Sequence, residues 1–166
     1  MWVSRNTLWY LVLVAVVFFF ASCATRPDVY EKGAAVAVWD LENLSPMNVP
    51  QPDLGELLSA AVIQTLKEEA AWTVVERERL LLALEELGLG TASLADEATR
   101  LRLGRLVGAR LMVFGGYQVI QHEMRLDLRL VEVETGKILK AAEKTTSAGN
   151  LSGWLEAARD TTAELL

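Results

Sequence analysis

The sequence predicts a mixed α/β domain, with helices packed on a mixed sheet in the order βαβα-αβββα. Three observations carry this. Short runs of β-forming residues alternate with amphipathic stretches up to residue 107. Between residues 111 and 146 the apolar period falls to two. Residues 151–166 then return to helical spacing.

The first strand is the run Ala34-Ala35-Val36-Ala37-Val38-Trp39-Asp40, apolar and ended by an aspartate. Residues 41–53 hold Asn43, Ser45, Pro46, Asn48, Pro50 and Pro52, a composition that predicts a loop. Leu54, Leu57, Leu58, Ala61, Val62, Thr65 and Leu66 then form a helical stripe, with Asp53 as its N-cap. Trp72-Thr73-Val74-Val75 is a second short strand. The next helix starts near Arg77, carries Leu80, Leu81, Leu84 and Leu87, and ends at Gly88. Asp96 caps a third helix that runs through Val107 and is closed by Gly108.

Leu111 to Ile120 reads as a strand, in which Gly115-Gly116 marks a kink or a close approach. Met124, Leu126, Leu128 and Leu130 alternate with Arg125, Asp127 and Arg129, the pattern of a half-buried strand. The phase slips at Leu130-Val131, because Val133 is apolar and Glu132 and Glu134 are not. Either a bulge lies there or the layers packed against the sheet change. Glu134-Thr135-Gly136-Lys137 is a hairpin turn, and Ile138 to Thr146 is the returning strand. The last helix presents Leu151, Trp154, Leu155, Ala158, Thr162 and Leu165 on one stripe. The expected core includes Val36, Val38, Leu58, Leu66, Val74, Leu84, Val107, Val113, Leu126, Leu128 and Trp154.

Ahead of this domain, Arg5 is a short positive region and residues 8–21 are uncharged and largely apolar. Ala21-Ser22 supplies the small residues that signal cleavage requires. Phe20-Ala21-Ser22-Cys23 resembles the bacterial lipobox, with Phe20 where leucine is usual. On that reading residues 1–22 are a signal peptide cut between Ser22 and Cys23, and Cys23 is acylated. Residues 23–33 are then the lipidated cysteine and a short tether, and residues 34–166 are one domain. Two other readings are an uncleaved span of about 20 residues between Arg5 and Arg26 and an unmodified small core cysteine. Cys23 is the sole cysteine, so it forms no intrachain disulfide. Two or more acyl chains on one residue make a stable anchor, at about 0.8 kcal/mol per buried methylene. Ala24, which is not acidic, points to the outer membrane and a periplasmic orientation. The stretch Ala24–Lys32 reaches about 30 Å when fully extended, which keeps the domain near the membrane.

The formal net charge is −6, and Arg5 leaves with the signal. An acidic domain makes a poor nucleic-acid partner, since that binding rests on neutralised phosphates. One His and one Cys cannot build a Cys/His metal site or a Cys–His nucleophile pair. His122 falls at a strand-to-strand turn, Glu68-Glu69 and Glu85-Glu86 fall on polar helix faces, and Gly115-Gly116 lacks dinucleotide-loop spacing. No catalytic residue, cofactor or metal is assigned. The one rival centre is Asp40 with Glu42 after the first strand, where Asn43 and Ser45 also predict loop-capping hydrogen bonds. Arg100, Arg102, Arg105 and Arg110 are the one basic concentration, either a solvated helix face or a partner-facing patch.

Four blocks, VAVWDLENLS (Val36–Ser45), WTVVERERLLLALEELGL (Trp72–Leu89), LGRLVGARLMVFGGY (Leu103–Tyr117) and LRLVEVETGKIL (Leu128–Leu139), resemble successive blocks of the curli-secretion-channel (CsgG) superfamily. That superfamily includes flagellar outer-membrane lipoproteins and activators of penicillin-binding proteins. The resemblance implies an anticodon-binding-like α/β domain facing the periplasm on an outer-membrane lipoprotein. Pore-forming members insert long membrane hairpins, whose strands need about 9–11 residues each. Here only the connection at Gln121-His122 and the tight turn at Glu134–Lys137 are present, so a pore is not expected. The expected role is a non-enzymatic assembly or interaction module of the envelope, with synthase activation as the alternative, although the tether is short for that. Its partners are the membrane, through the lipid, and either other envelope proteins or further copies of itself. The candidate contact residues are Arg100, Arg102 and Arg105 on the third helix, and Met47 and Val49 in the loop after the first strand. Metabolic labelling with a fatty-acid analogue should mark the wild-type chain and not Cys23→Ala; label that persists in the variant contradicts the lipobox reading.

Overall fold

The computed structural model describes residues 33–46, 54–69, 72–88, 96–147 and 149–166. Ser22, Cys23, the tether, Met47, Val49 and the Asp53 cap lie outside the described residues. Six strands, β1 (Ala35–Val38), β2 (Glu42–Asn43), β3 (Thr73–Val74), β4 (Leu111–Ile120), β5 (Glu123–Glu132) and β6 (Ile138–Ser147), form one sheet. Among the described residues four helices flank it: α1 (Leu54–Glu69), α2 (Arg77–Glu86), α3 (Glu97–Leu106) and α4 (Leu151–Glu164). The sheet order is β3-β1-β4-β5-β6. β1 is parallel to β3 and β4, whereas β4, β5 and β6 form an antiparallel meander. This is the predicted mixed α/β architecture and element order with one strand added. β2 lies inside the predicted loop and pairs Glu42 and Asn43 with Gly116 and Tyr117. Turn-rich composition did not forbid it, because β4 runs on beyond the end of β1 and offers free backbone groups that a short segment can satisfy.

The core has two compartments. On one face, α1 and α4 cover Val36, Val38, Leu111, Val113, Leu126, Leu128 and Leu130. On the other, α2 and α3 cover Ala37, Met112, Phe114, Val131 and Val133. Every residue of the expected core is buried. Leu57, Leu81 and Leu151 are exposed, contrary to their place in the apolar stripes. Each sits at the margin of its stripe, where the helix surface turns away from the sheet.

Both readings of the phase slip hold together. The β5–β6 register passes from Leu130↔Lys140 to Val131↔Ile138, which leaves Leu139 as an extra residue in β6. Leu130 belongs to the first compartment and Val131 to the second. The sheet is therefore buried on both faces at that end.

The helix ends follow the sequence signals. Asp96 accepts a hydrogen bond from the Ala98 amide at 3.3 Å. Gly88 and Gly108 close α2 and α3 at φ of 62° and 75°, a region that glycine enters without steric cost. Gly115 and Gly116 are a close approach. A Cβ on Gly115 would stand 2.6 Å from the Asp127 carbonyl, and one on Gly116 would stand 2.7 Å from Leu44 Cδ1. Leu126 is fully buried. Leu126→Ala should cost about 2–5 kcal/mol in chemical denaturation. The same truncation of Ile138, exposed on the edge strand, should stay within about 0.5 kcal/mol. Equal costs would mean that the faces of the meander are assigned backwards.

Candidate functional site

The segment after β1 is stitched across the end of the sheet. Leu44 donates its amide to the Tyr117 carbonyl at 2.7 Å, and Val119 donates to Ser45 Oγ at 2.9 Å. The Ser45 amide donates to Asn43 Oδ1 at 3.0 Å, the loop-capping bond expected of this composition. Leu41 donates to Ser59 Oγ on α1 at 3.0 Å. These bonds bring Glu42 beneath α3, where Arg100 donates to its carboxylate. The Arg100 side chain is only 10% exposed, against 45% for Glu42. Its guanidinium carbon lies 5.7 Å from the centre of the Phe114 ring, a cation–π distance.

Arg100 is therefore an internal clamp between α3 and the sheet and does not form part of a solvated basic face. The helical period explains this, since Arg100 continues the inward stripe of Leu103, Gly104 and Val107. The same spacing was present in the sequence. Arg105 is exposed but anchored, donating from Nη1 to the Val133 carbonyl at 3.1 Å. Arg102 and Arg110 are exposed.

Asp40 and Glu42 diverge. Arg77 of α2 donates to Asp40 Oδ2 at 2.8 Å and meets Glu56 Oε1 at 2.7 Å. Burial raises the Asp40 pKa, Arg77 opposes that shift, and Glu56 adds to it. The cleft beside Asp40, lined by Val38, Trp39, Arg77 and Leu80, holds about 10 Å³, roughly the space of one water. The rival catalytic pair is not assembled, because Asp40 is committed to α2 and Glu42 to α3. No group of three or more His, Cys, Asp or Glu able to hold a metal occurs among the described residues. His122 is an exposed turn residue between β4 and β5.

Two surfaces remain. Leu82 and Leu106, 59% and 57% exposed, border a groove of about 220 Å³ between α2 and α3, rimmed by Arg79 and Glu86. Glu68, Glu69 and Glu85 are exposed on α1 and α2. A larger groove of about 390 Å³ lies on the sheet itself, beside Leu44, Gly116, Asp127 and Arg129. No helix of the described residues is long and apolar enough to cross a membrane.

Comparisons with known proteins bear on the family and on the fold. The family described as "Curli production assembly/transport component CsgG" matches residues 22–125. No curated protein matches the chain. Among solved structures, the chain is similar to the LpoB C-terminal domain from Escherichia coli, with 18% identity over 78% of this chain and 93% of that one, and a TM-score of 0.61. Lipoprotein GNA1162 from Neisseria meningitidis has 16% identity over 80% and 96% of the two chains, and a TM-score of 0.58. The PelC dodecamer from Paraburkholderia phytofirmans has 17% identity over 81% and 86%, and a TM-score of 0.54. At these identities the likeness is one of fold. The family match spans more than half of the sequence and carries the first, second and third blocks quoted above; the chain belongs to the CsgG family.

Proposed function

We propose that this chain is a non-enzymatic, lipid-anchored assembly module of the bacterial envelope, which acts by associating with further copies of itself. In this reading residues 1–22 direct export and are removed. Acylated Cys23 holds the protein at the outer membrane through the 23–33 tether, and residues 34–166 face the periplasm. The family match supports an envelope setting, and its span starts at residue 22, beside the expected cleavage point.

The observation that carries the reading is the face formed by α2 and α3. Leu82 and Leu106 are more than half exposed and flank an open groove. Arg79 and Glu86 rim it, and Arg102 and Arg105 stand on the same helix as Leu106. An apolar centre with a charged rim is the make-up of a protein–protein contact. Glu68, Glu69, Glu85 and Glu86 supply acidic partners on the same chain, so basic and acidic patches can meet head to tail between copies. Heterologous contacts of this kind close into rings or continue as filaments. A protein of the same fold, PelC, forms a dodecamer, which supports a ring. Met47 and Val49 are a second candidate contact.

In-cell photo-crosslinking of the full lipidated chain, followed by mass spectrometry, tests the proposal. Self-crosslinks between α3 and the acidic helices are expected. They should disappear in Arg102→Glu with Arg105→Glu, and in Leu106→Asp. They should also weaken with salt, since exposed charges more than about 8–10 Å apart are screened at physiological ionic strength. Crosslinks only to a foreign protein, such as a penicillin-binding protein, would overturn self-association in favour of the activator reading.

A further inference from the structure

Where α2 begins, three elements share one guanidinium. Arg77 is the first residue of α2. It donates to Asp40 Oδ2, just past the end of β1, at 2.8 Å and meets Glu56 Oε1, in the first turn of α1, at 2.7 Å. One positive charge thus serves two carboxylates. The other charges near this junction are engaged elsewhere or point to solvent. Glu42 takes Arg100, Glu76 takes Lys67, and Glu78 is exposed on the same turn as Arg77.

The surroundings of Asp40 are poor in water. The cleft beside it is lined by Val38, Trp39, Leu80 and Leu81 and holds about 10 Å³, room for a single water. Burial raises the Asp40 pKa, Arg77 lowers it and Glu56 raises it, and the net shift is upward. The folded chain therefore takes up this proton more readily than the unfolded chain. Between the ordinary aspartate value and the raised one, protonation of Asp40 adds stability to the fold and does not break it. Once Asp40 is neutral, Arg77 keeps only Glu56 as a charged partner.

We infer that Asp40, Arg77 and Glu56 form an acid-responsive latch, which ties the first turn of α2 to β1 when Asp40 is charged and to α1 alone when it is protonated. Leu80, Ala83 and Leu84 are buried and hold the rest of the helix, so the change is confined to that turn. Arg79 lies in the same turn and rims the groove between α2 and α3. The latch therefore makes contact between copies depend on pH. This last consequence rests on the self-association reading, whereas the latch itself does not.

The test follows Trp39 emission in the full lipidated chain, in detergent micelles, from neutral pH down to about pH 4, just above the ordinary aspartate value. A single step is expected, absent in Trp39→Phe and in Asp40→Asn. Glu56→Gln should lower its midpoint and Arg77→Gln should raise it, the signs that the two charges impose on Asp40. Glu56 is exposed, so its variant keeps the test decisive even if Arg77→Gln fails to fold. No step, a step that survives in Asp40→Asn, or a midpoint that Glu56→Gln leaves in place or raises would overturn the inference. The yield of α3 self-crosslinks should change across the same step in the wild type and stay level in Asp40→Asn. Crosslinks that ignore the step would overturn the coupling to the α2–α3 face and leave self-association standing. A step without self-crosslinks at any pH would overturn self-association and leave the latch standing.

Discussion

The structure depends on one constraint: a strand presents consecutive residues to opposite faces, so every residue of the meander answers to the layer on its own side. β4 and β5 keep one face under α1 and α4 along their length, and that face is apolar throughout, from Leu111 to Tyr117 and from Met124 to Leu130. The other face is covered by α2 and α3 only as far as Phe114 and Val131. Past that line its residues include Gly116, kept small by Leu44 packed over it, and Arg125, Asp127 and Arg129, charged where the helical layer no longer covers them. The edge strand β6 follows the same division, with no residue fully buried. Lysines along it, Lys140 and Lys144, guard an exposed edge against pairing with other chains.

This division makes the attachment of α3 unusual. Gly104 lets the helix settle on the sheet, where an added Cβ would stand 3.1 Å from Val133 and 3.3 Å from Met112. At the other end of the same stripe the sheet offers only the Phe114 ring, beside Gly116 with Leu44 packed over it. A long amphipathic side chain solves this, since Arg100 covers the ring with its guanidinium plane and reaches Glu42. The clamp also secures β2, whose two residues could not hold their register alone. The glycine pair in β4, the short strand β2 and the buried arginine are thus one device. It ends the helical layer and leaves the sheet open beyond.

What was legible in the sequence follows from what is periodic. The helices, the meander and the core residues were legible because period 3.6 and period 2 leave strong patterns over ten or more residues. The slip at Leu130-Val131 was legible because a change of covering layer breaks such a pattern in place. β2 was not, since a strand of two residues has no period and its pairing is decided by where β4 happens to extend. Arg100 was legible by position but not by type, as a charge on an inward stripe reads as surface. Leu82 and Leu106 carry no signal at all in sequence terms. Their exposure depends on how closely α2 and α3 approach each other. Asp40 and Glu42 look like neighbours along the chain, yet the backbone between them turns their side chains to different helices.

Family membership and the fold together restrict how this chain can act. The family match ends at residue 125, but Leu126, Leu128, Leu130, Trp154, Ala158 and Leu165 lie beyond it and complete the first core compartment. The domain cannot close without them, so its strands β5 and β6 are structural along their whole length. β4 and β5 pair residue for residue from Leu111↔Glu132 to Ile120↔Glu123, with only Gln121 and His122 between them. The next connection is as tight, with the Gly136 amide donating to the Glu132 carbonyl at 2.8 Å. A hairpin engaged to its tip in the sheet has no length to lend to a bilayer, where each spanning strand needs about 9–11 residues. With the meander committed in this way, what distinguishes the chain within its family must lie in its surfaces. One such surface is the pair of exposed leucines with a charged rim between α2 and α3, and another is the charged, uncovered end of the sheet around Arg125, Asp127, Arg129 and Glu143.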